Sequence, residues 1–351
     1  MSELQSLLRD TAERLFADRV TPQVLHAAED GGWPAELWQV MAEHGLHQPF
    51  GAGDGEEAGE DGADWSDLFA LLFAAGRWAV PLPLGETAIA GRVLLDGGLT
   101  LPDGPLGLAA QADLSLDQKG RVGGTAAKVP WGAAVPFVVA RAGRRDGAQL
   151  VLLPTDGVER RLDRNIAREP RDDLSFEGVV PAASCPWPAD WSADRLRDLA
   201  ALLRAAQIAG AMDRVLDITV GYAGERKQFG RPIGKFQAIQ HQLAELAGEA
   251  AAAAVAAQTG FAALDEGRDP WFAIAVAKQR ASEAAGKGAA ISHQVHGAIG
   301  FTYEHHLHYL TRRLWSWRTE FGNARSWATA IGARAAGRGA TRLWPDLVAG
   351  I

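Results

Sequence analysis

The sequence predicts a mainly α-helical chain with a central β domain. The expected order is an N-terminal helical domain, a small antiparallel β domain and a C-terminal four-helix bundle. Apolar residues recur at helical spacing through the first hundred positions. From Leu99 to Cys185 short β-type runs parted by Gly, Pro and Asp take over. Long Ala/Leu-rich helical patterns fill the remainder. These changes of texture set the domain limits at residues 1–98, 99–187 and 188–351.

In the first domain, residues 2–20 carry Leu4, Leu7, Leu8, Leu15 and Phe16 on an amphipathic helix with Ser2 as its cap. A second helix is expected over 34–45, with Trp33, Leu37, Val40 and Met41 sharing a face. Residues 51–64 are rich in Gly, Glu and Asp, which build no core, and read as an exposed loop. Helix resumes over 65–78, through Leu68, Leu71, Leu72 and Phe73, and over 84–95.

The β domain is expected from runs at 106–110, 137–140, 149–154 and 174–180, whose short connections favour antiparallel pairing. Trp131, in Lys128-Val129-Pro130-Trp131-Gly132, is either a core anchor or a wall for a flat ligand. The bundle follows as helices over 195–226, 236–266, 270–295 and 304–317, with 327–338 as a tail.

Composition narrows the function. A net charge of −8 with 35 Lys and Arg in 351 residues argues against nucleic acid as a partner. No apolar run is long enough to span a membrane, and the start Met1-Ser2-Glu3-Leu4-Gln5 has neither a basic nor an apolar leader region, so a cytoplasmic protein is expected. The single cysteine, Cys185, allows no intrachain disulfide and reads as structural.

Two stretches are less generic. From Gly221 to Gln237 a helical pattern runs into Gly230, Pro232 and Gly234, leaving Arg226, Gln228 and Phe229 at a sharp connection. The group is either a decorated helix-helix turn or a contact that holds a phosphate and stacks on a ring. In the second, Gly297 and Gly300 end one helix and open the next, after His293, Gln294 and His296. Backbone N–H groups at such a bend suit a pyrophosphate. The pairs His293/His296 and Glu304/His308 have helical ligand spacing, but no further cysteine or carboxylate set completes them, and no metal site is expected. Candidate acid–base groups are Glu225, Glu304 and Glu320. Glu304 is either a helix cap or a solvated helix end, and Glu320 follows the aromatic stretch Trp315-Ser316-Trp317-Arg318, where a carboxylate pKa can be raised toward a working value.

Taken together, these stretches resemble the acyl-CoA dehydrogenase family. Arg226-Lys227-Gln228-Phe229-Gly230-Arg231-Pro232-Ile233 with Phe236-Gln237 is similar to the family's Arg-x-x-Phe-Gly-x-x-Ile…Gln signature. Gln294-Val295-His296-Gly297-Ala298-Ile299-Gly300-Phe301 is similar to its Gln-x-x-Gly-Gly-x-Gly-(Phe/Tyr) signature. The resemblance implies FAD between the β domain and the bundle. Arg226 and Phe229 would reach a neighbouring subunit's cofactor with Gln237 nearby, Gln294 and Gly297 would approach the pyrophosphate, and Trp131 would lie near the isoalloxazine. It implies α,β-dehydrogenation of an acyl-CoA thioester to the 2-enoyl-CoA, with electrons passed to an electron-transfer flavoprotein.

The chain departs from the family pattern in places. The stretch that supplies the base falls at Phe321-Gly322-Asn323, with Glu320 one residue away, so either the register slips by one or the base is lost. The other base position falls near Ala200-Ala201, which carry no carboxylate. Ala298 replaces a Gly, and the β domain lacks a Thr-Glu…Gly-(Ser/Thr)-Asp stretch. The short form is similar to the smaller subunit of heterotetrameric actinobacterial members, which act on bulky thioesters such as sterol fragments. Glu320 is the candidate base of an enzyme working as a homotetramer or an α2β2 heterotetramer. The alternative is a non-catalytic partner that completes a sister chain's FAD site.

Overall fold

The computed structural model describes residues 3–47, 64–144, 147–267 and 269–349. The loop expected over 51–64 lies outside the described residues except for Asp64. The chain divides into two compact units that do not follow sequence order. One comprises Met1–Leu25, Trp65–Val80 and Ala201–Ile351, the other His26–Asp64 and Pro81–Ala200.

The helices in chain order are α1 (Glu3–Arg19), α2 (Pro22–Glu29), α3 (Ala35–Glu43), α4 (Trp65–Arg77) and α5 (Leu84–Asp96), then α6 (Arg195–Glu225), α7 (Gln237–Asp265), α8 (Trp271–His296), α9 (Leu307–Trp317), α10 (Ala324–Arg338) and α11 (Leu343–Ala349). In the helical unit α4 packs on α1 and α7, while α8 packs on α7, α9 and α10. Helices α4 and α6 meet backbone to backbone. A Cβ at Gly210 would stand 1.9 Å from the Phe73 carbonyl oxygen, and one at Gly76 would stand 2.1 Å from that of Gln207. Arg77, at the end of α4, ties this crossing by ion pairs with Asp213 and Asp217 of α6 and Glu13 of α1.

The β unit holds two four-stranded sheets. Its strands are β1 (Leu106–Ala109), β2 (Ala112–Leu116), β3 (Val122–Pro130), β4 (Phe137–Ala142), β5 (Gln149–Pro154), β6 (Glu159–Arg161), β7 (Arg171–Val179) and β8 (Ala183–Pro186). The sheet orders are β1-β4-β5-β8 and β2-β3-β7-β6. Val138, Val151 and Leu153 of the first share one buried core with Val129, Leu174 and Phe176 of the second. Within this unit α5 packs on β1, and the Leu106 amide donates to Thr87 Oγ1 at 3.0 Å.

Among the described residues the pairing in this unit is antiparallel with one exception: β1 runs parallel to β4. The chain leaves β1, makes the β2–β3 pair in the other sheet and returns, which is the crossover that parallel neighbours need. Strands β2, β3, β6 and β8 escape sequence reading. Val122–Pro130 is diluted by Gly, Ala and Lys, and β6 and β8 are only three and four residues long.

The helices differ from expectation in one addition and one boundary. Helix α2 has no counterpart among the expected helices, although Thr21-Pro22 announces it. Pro suits the first helical position, and Thr21 Oγ1 accepts from the Val24 amide at 3.4 Å. The helix expected from residue 304 begins only at Leu307, because the 3-10 turn Gly297–Phe301 is followed by further turns rather than by helix. Glu304 is therefore exposed and caps nothing.

Candidate active site and cofactor turn

The helical unit brings the predicted residues together in two places. At one end of the bundle, the chain leaves α6 into a two-residue hairpin between β9 (Lys227–Gln228) and β10 (Arg231–Pro232). Phe229 and Gly230 form its turn with φ of 52° and 77°. Positive φ at both central positions is the hairpin geometry that matches strand twist. Gly takes it freely, whereas an L-aromatic side chain pays roughly 1 to 2 kcal/mol for it. Phe229 is nonetheless 91% exposed. Residues held in costly conformations cluster at ligand contacts.

The glycine turn reaches the same end. Helix α8 stops at Gly297, with φ of 65°. One residue earlier His296 stacks on Tyr222 of α6, centroids 4.4 Å apart, and the Tyr222 hydroxyl donates to the His296 carbonyl at 3.3 Å. The two family-like stretches are thus joined just short of Arg226 and just short of Gly297. Arg226, Gln237 and Gln294 are exposed, and no side-chain partner binds them among the described residues. A guanidinium, two amides and an aromatic face held out to solvent form a donor set that fits a dinucleotide's pyrophosphate and adenosine.

The histidines have other partners. His293 stacks on Phe301 at 4.1 Å and its Nε2 lies 3.1 Å from Thr311 Oγ1, while burial pushes His293, His296 and His305 below the ordinary imidazole range. Glu225 is exposed on the last turn of α6.

The second place is a buried cluster around Glu320. The loop after α9 turns through Phe321 and Gly322, with φ of 56° and 106°. The wholly buried Arg204 of α6 donates from Nε to Glu320 Oε2 at 2.7 Å and from Nη1 to Gln207 Oε1 at 2.5 Å. Its guanidinium packs over the rings of Trp317 and Phe321, 5.9 and 5.7 Å from their centroids. The Glu320 side chain is 15% exposed. From α8, Lys278 Nζ donates to Ser282 Oγ and to the carbonyls of Trp317 and Arg318, at 3.0, 3.0 and 3.1 Å.

Burial pushes the Lys278 ammonium down to about 7, against the attraction of Glu320 and with added repulsion from Arg204 and Arg318. Its folded pKa is below its ordinary value of 10.5, so between those values the unfolded chain binds more protons. This group's contribution to stability therefore rises as pH climbs from about 7 to about 10.5. A pH series of unfolding free energies should show that rise in the parent chain and lack it in Lys278→Met.

Arg204, Gln207 and Lys278 were not singled out from sequence. The available signal was a charge inside an apolar helical run, as in Leu202-Leu203-Arg204-Ala205-Ala206, where a buried cation needs a partner. In the β unit, Trp131 is 5% exposed with φ of 51°, and Arg171 packs over its ring at 5.3 Å. Cys185 lies on β8, where burial pushes its thiol up, away from nucleophilic use.

Comparison with known proteins accords with this geometry. Residues 2–98 match the acyl-CoA dehydrogenase N-terminal domain and residues 198–335 the acyl-CoA dehydrogenase C-terminal domain. Acyl-CoA dehydrogenase IpdE2 of Mycolicibacterium smegmatis is 31% identical over 320 residues, 89% of this chain and 93% of that protein. The solved Tcur3481-Tcur3483 steroid ACAD G363A variant superposes with a TM-score of 0.81 at 28% identity, covering 96% of this chain and 99% of that one. The ChsE4-ChsE5 complex from Mycobacterium tuberculosis gives 0.84 at 23% identity, covering 96% and 98%, a likeness of fold.

The chain belongs to the acyl-CoA dehydrogenase family. It is thereby a flavin oxidoreductase, and the family's cofactor is FAD. No helix among the described residues is long and apolar enough to cross a membrane.

Replacing Phe229 by Asn tests what the exposed ring is for. Asn accepts positive φ, so the flavin-free chain should gain up to about 1 kcal/mol in urea unfolding. Loss of the stacking face should at the same time weaken FAD retention severalfold in a fluorescence titration. Unchanged retention would remove Phe229 from the cofactor contacts.

Proposed function

We infer that this chain catalyses FAD-dependent α,β-dehydrogenation of an acyl-CoA thioester, with Glu320 as the base, in the cytoplasm and within a tetramer. The observation that carries this reading is the Arg204–Glu320 pair, which fixes a carboxylate in the loop after α9. Glu320 accepts the α proton of the substrate, and Arg204 stabilises the carboxylate and orients it. The α and β carbons become doubly bonded, giving the 2-enoyl-CoA. Bound FAD supplies the acceptor for the β hydrogen, which leaves as hydride, and the electrons pass on to an electron-transfer flavoprotein. Trp131, being 5% exposed, offers the isoalloxazine an edge at most.

The cofactor turn serves a different flavin from the one beside Glu320. Arg204 and Glu225, the last residue of α6 and the neighbour of Arg226, are separated by about 32 Å of helix, farther than the ring and pyrophosphate of one dinucleotide lie apart. This distance supports a shared arrangement in which Arg226, Phe229, Gln237, Gln294 and Gly297 complete a neighbouring subunit's site. The same distance favours a second reading, in which this chain is the non-catalytic half of an α2β2 enzyme. The likeness to the Tcur3481-Tcur3483 steroid enzyme supports a two-chain assembly and a ring-bearing acyl group.

Purification separates the readings. The chain produced alone should be yellow and should bleach when mixed anaerobically with an acyl-CoA, tried as butyryl-, palmitoyl- and steroid side-chain thioesters. A colourless protein that becomes yellow only when co-produced with a sister chain would favour the partner reading.

A further inference from the structure

Lys278 does more than fill a helix. It lies in the interior of α8 and is fully buried, and its three donors meet three acceptors. Two of these are the carbonyls of Trp317 and Arg318, at the C-terminal end of α9. The ammonium thus caps α9 from another helix. Beyond that cap, the Trp327 indole N–H donates to the Phe321 carbonyl at 3.2 Å, and Asn323 Oδ1 accepts from the Ser326 amide at 2.9 Å to start α10. Glu320 stands between these fixed points. The charged groups around the ammonium are Glu320, Arg204 and Arg318, so the carboxylate is the one group there that its charge attracts.

We propose that Lys278 is a positioning residue for the reaction: it clamps the start of the loop that presents Glu320, and its positive charge favours the ionised form of that carboxylate. The proposal rests on the reading of Glu320 as the base. The clamp acts through hydrogen bonds to backbone, which any donor of suitable reach partly replaces, whereas the electrostatic part needs a cation. The two parts are therefore separable by substitution.

The test compares the parent with Lys278→Met, Lys278→Gln and Glu320→Gln. Hydrogen exchange of the peptide spanning 317–323 is followed on flavin-free protein, and the pH profile of turnover with a ferricenium acceptor on flavin-loaded protein. In Lys278→Met, exchange across the loop should quicken at least tenfold while α7 is unchanged. Its kcat should fall at least tenfold with KM within twofold, and the acid limb of the profile should move up by about half to one pH unit.

Lys278→Gln should recover part of the exchange protection but keep the shifted limb. It also carries both readouts if the Met variant does not fold. Parental exchange and an unmoved limb in both variants would overturn the proposal, and faster exchange with an unmoved limb would overturn its electrostatic half. If Glu320→Gln turns over like the parent, the base reading fails, and loop exchange still decides the clamp.

Discussion

Glu320→Gln should retain its flavin and lose acyl-CoA-driven bleaching by about 10³-fold, within the range that a positioned general base contributes. The amide nearly matches the carboxylate in size and still accepts the Arg204 hydrogen bond, so the loop and the cation stay in place. What disappears is the capacity to take a proton. Stopped-flow absorbance under anaerobic conditions measures the effect, and a parental rate would remove Glu320 from the chemistry. The Phe321 register is not an alternative source of a base, since that side chain is apolar, 6% exposed and packed against the Arg204 guanidinium.

Arg204→Met should destabilise the flavin-free chain by about 3 kcal/mol, the lower end of the cost of breaking a buried ion pair by removing one partner. The low end applies because Glu320 keeps some contact with water while Arg204 has none. Adding Glu320→Gln to Arg204→Met should restore part of the loss, because the carboxylate that Arg204 held is gone, while the buried Lys278 ammonium forfeits its attraction to Glu320. Urea unfolding of the four proteins of this cycle gives the coupling directly. A loss below about 1 kcal/mol in the single variant would mean that the pair contributes little to the fold.

The long helices were legible because their composition and length leave few other structures: α6, α7 and α8 fall within a residue or two of their sequence limits. The edges of the β unit were not, since β3 depends on pairing with β2 and β7 rather than on its own propensity. The same division holds at the site. Arg226, Phe229 and the glycine turn are contiguous in sequence, and their disturbance of the helical pattern marks them. Arg204, Lys278 and Glu320 come from three separate segments, and only packing makes a cluster of them. A register read by counting fell on Phe321, and the turn at Phe321-Gly322 explains why its neighbour Glu320 is the residue that meets the bundle's cation.

The most direct test of a dehydrogenase with its own base is the product. The flavin-loaded chain, mixed anaerobically with an acyl-CoA it binds, should convert one equivalent per flavin to a thioester lighter by two hydrogens, the 2-enoyl-CoA, as the yellow colour fades. Full flavin occupancy with bound acyl-CoA, unfaded colour and no lighter product would contradict it.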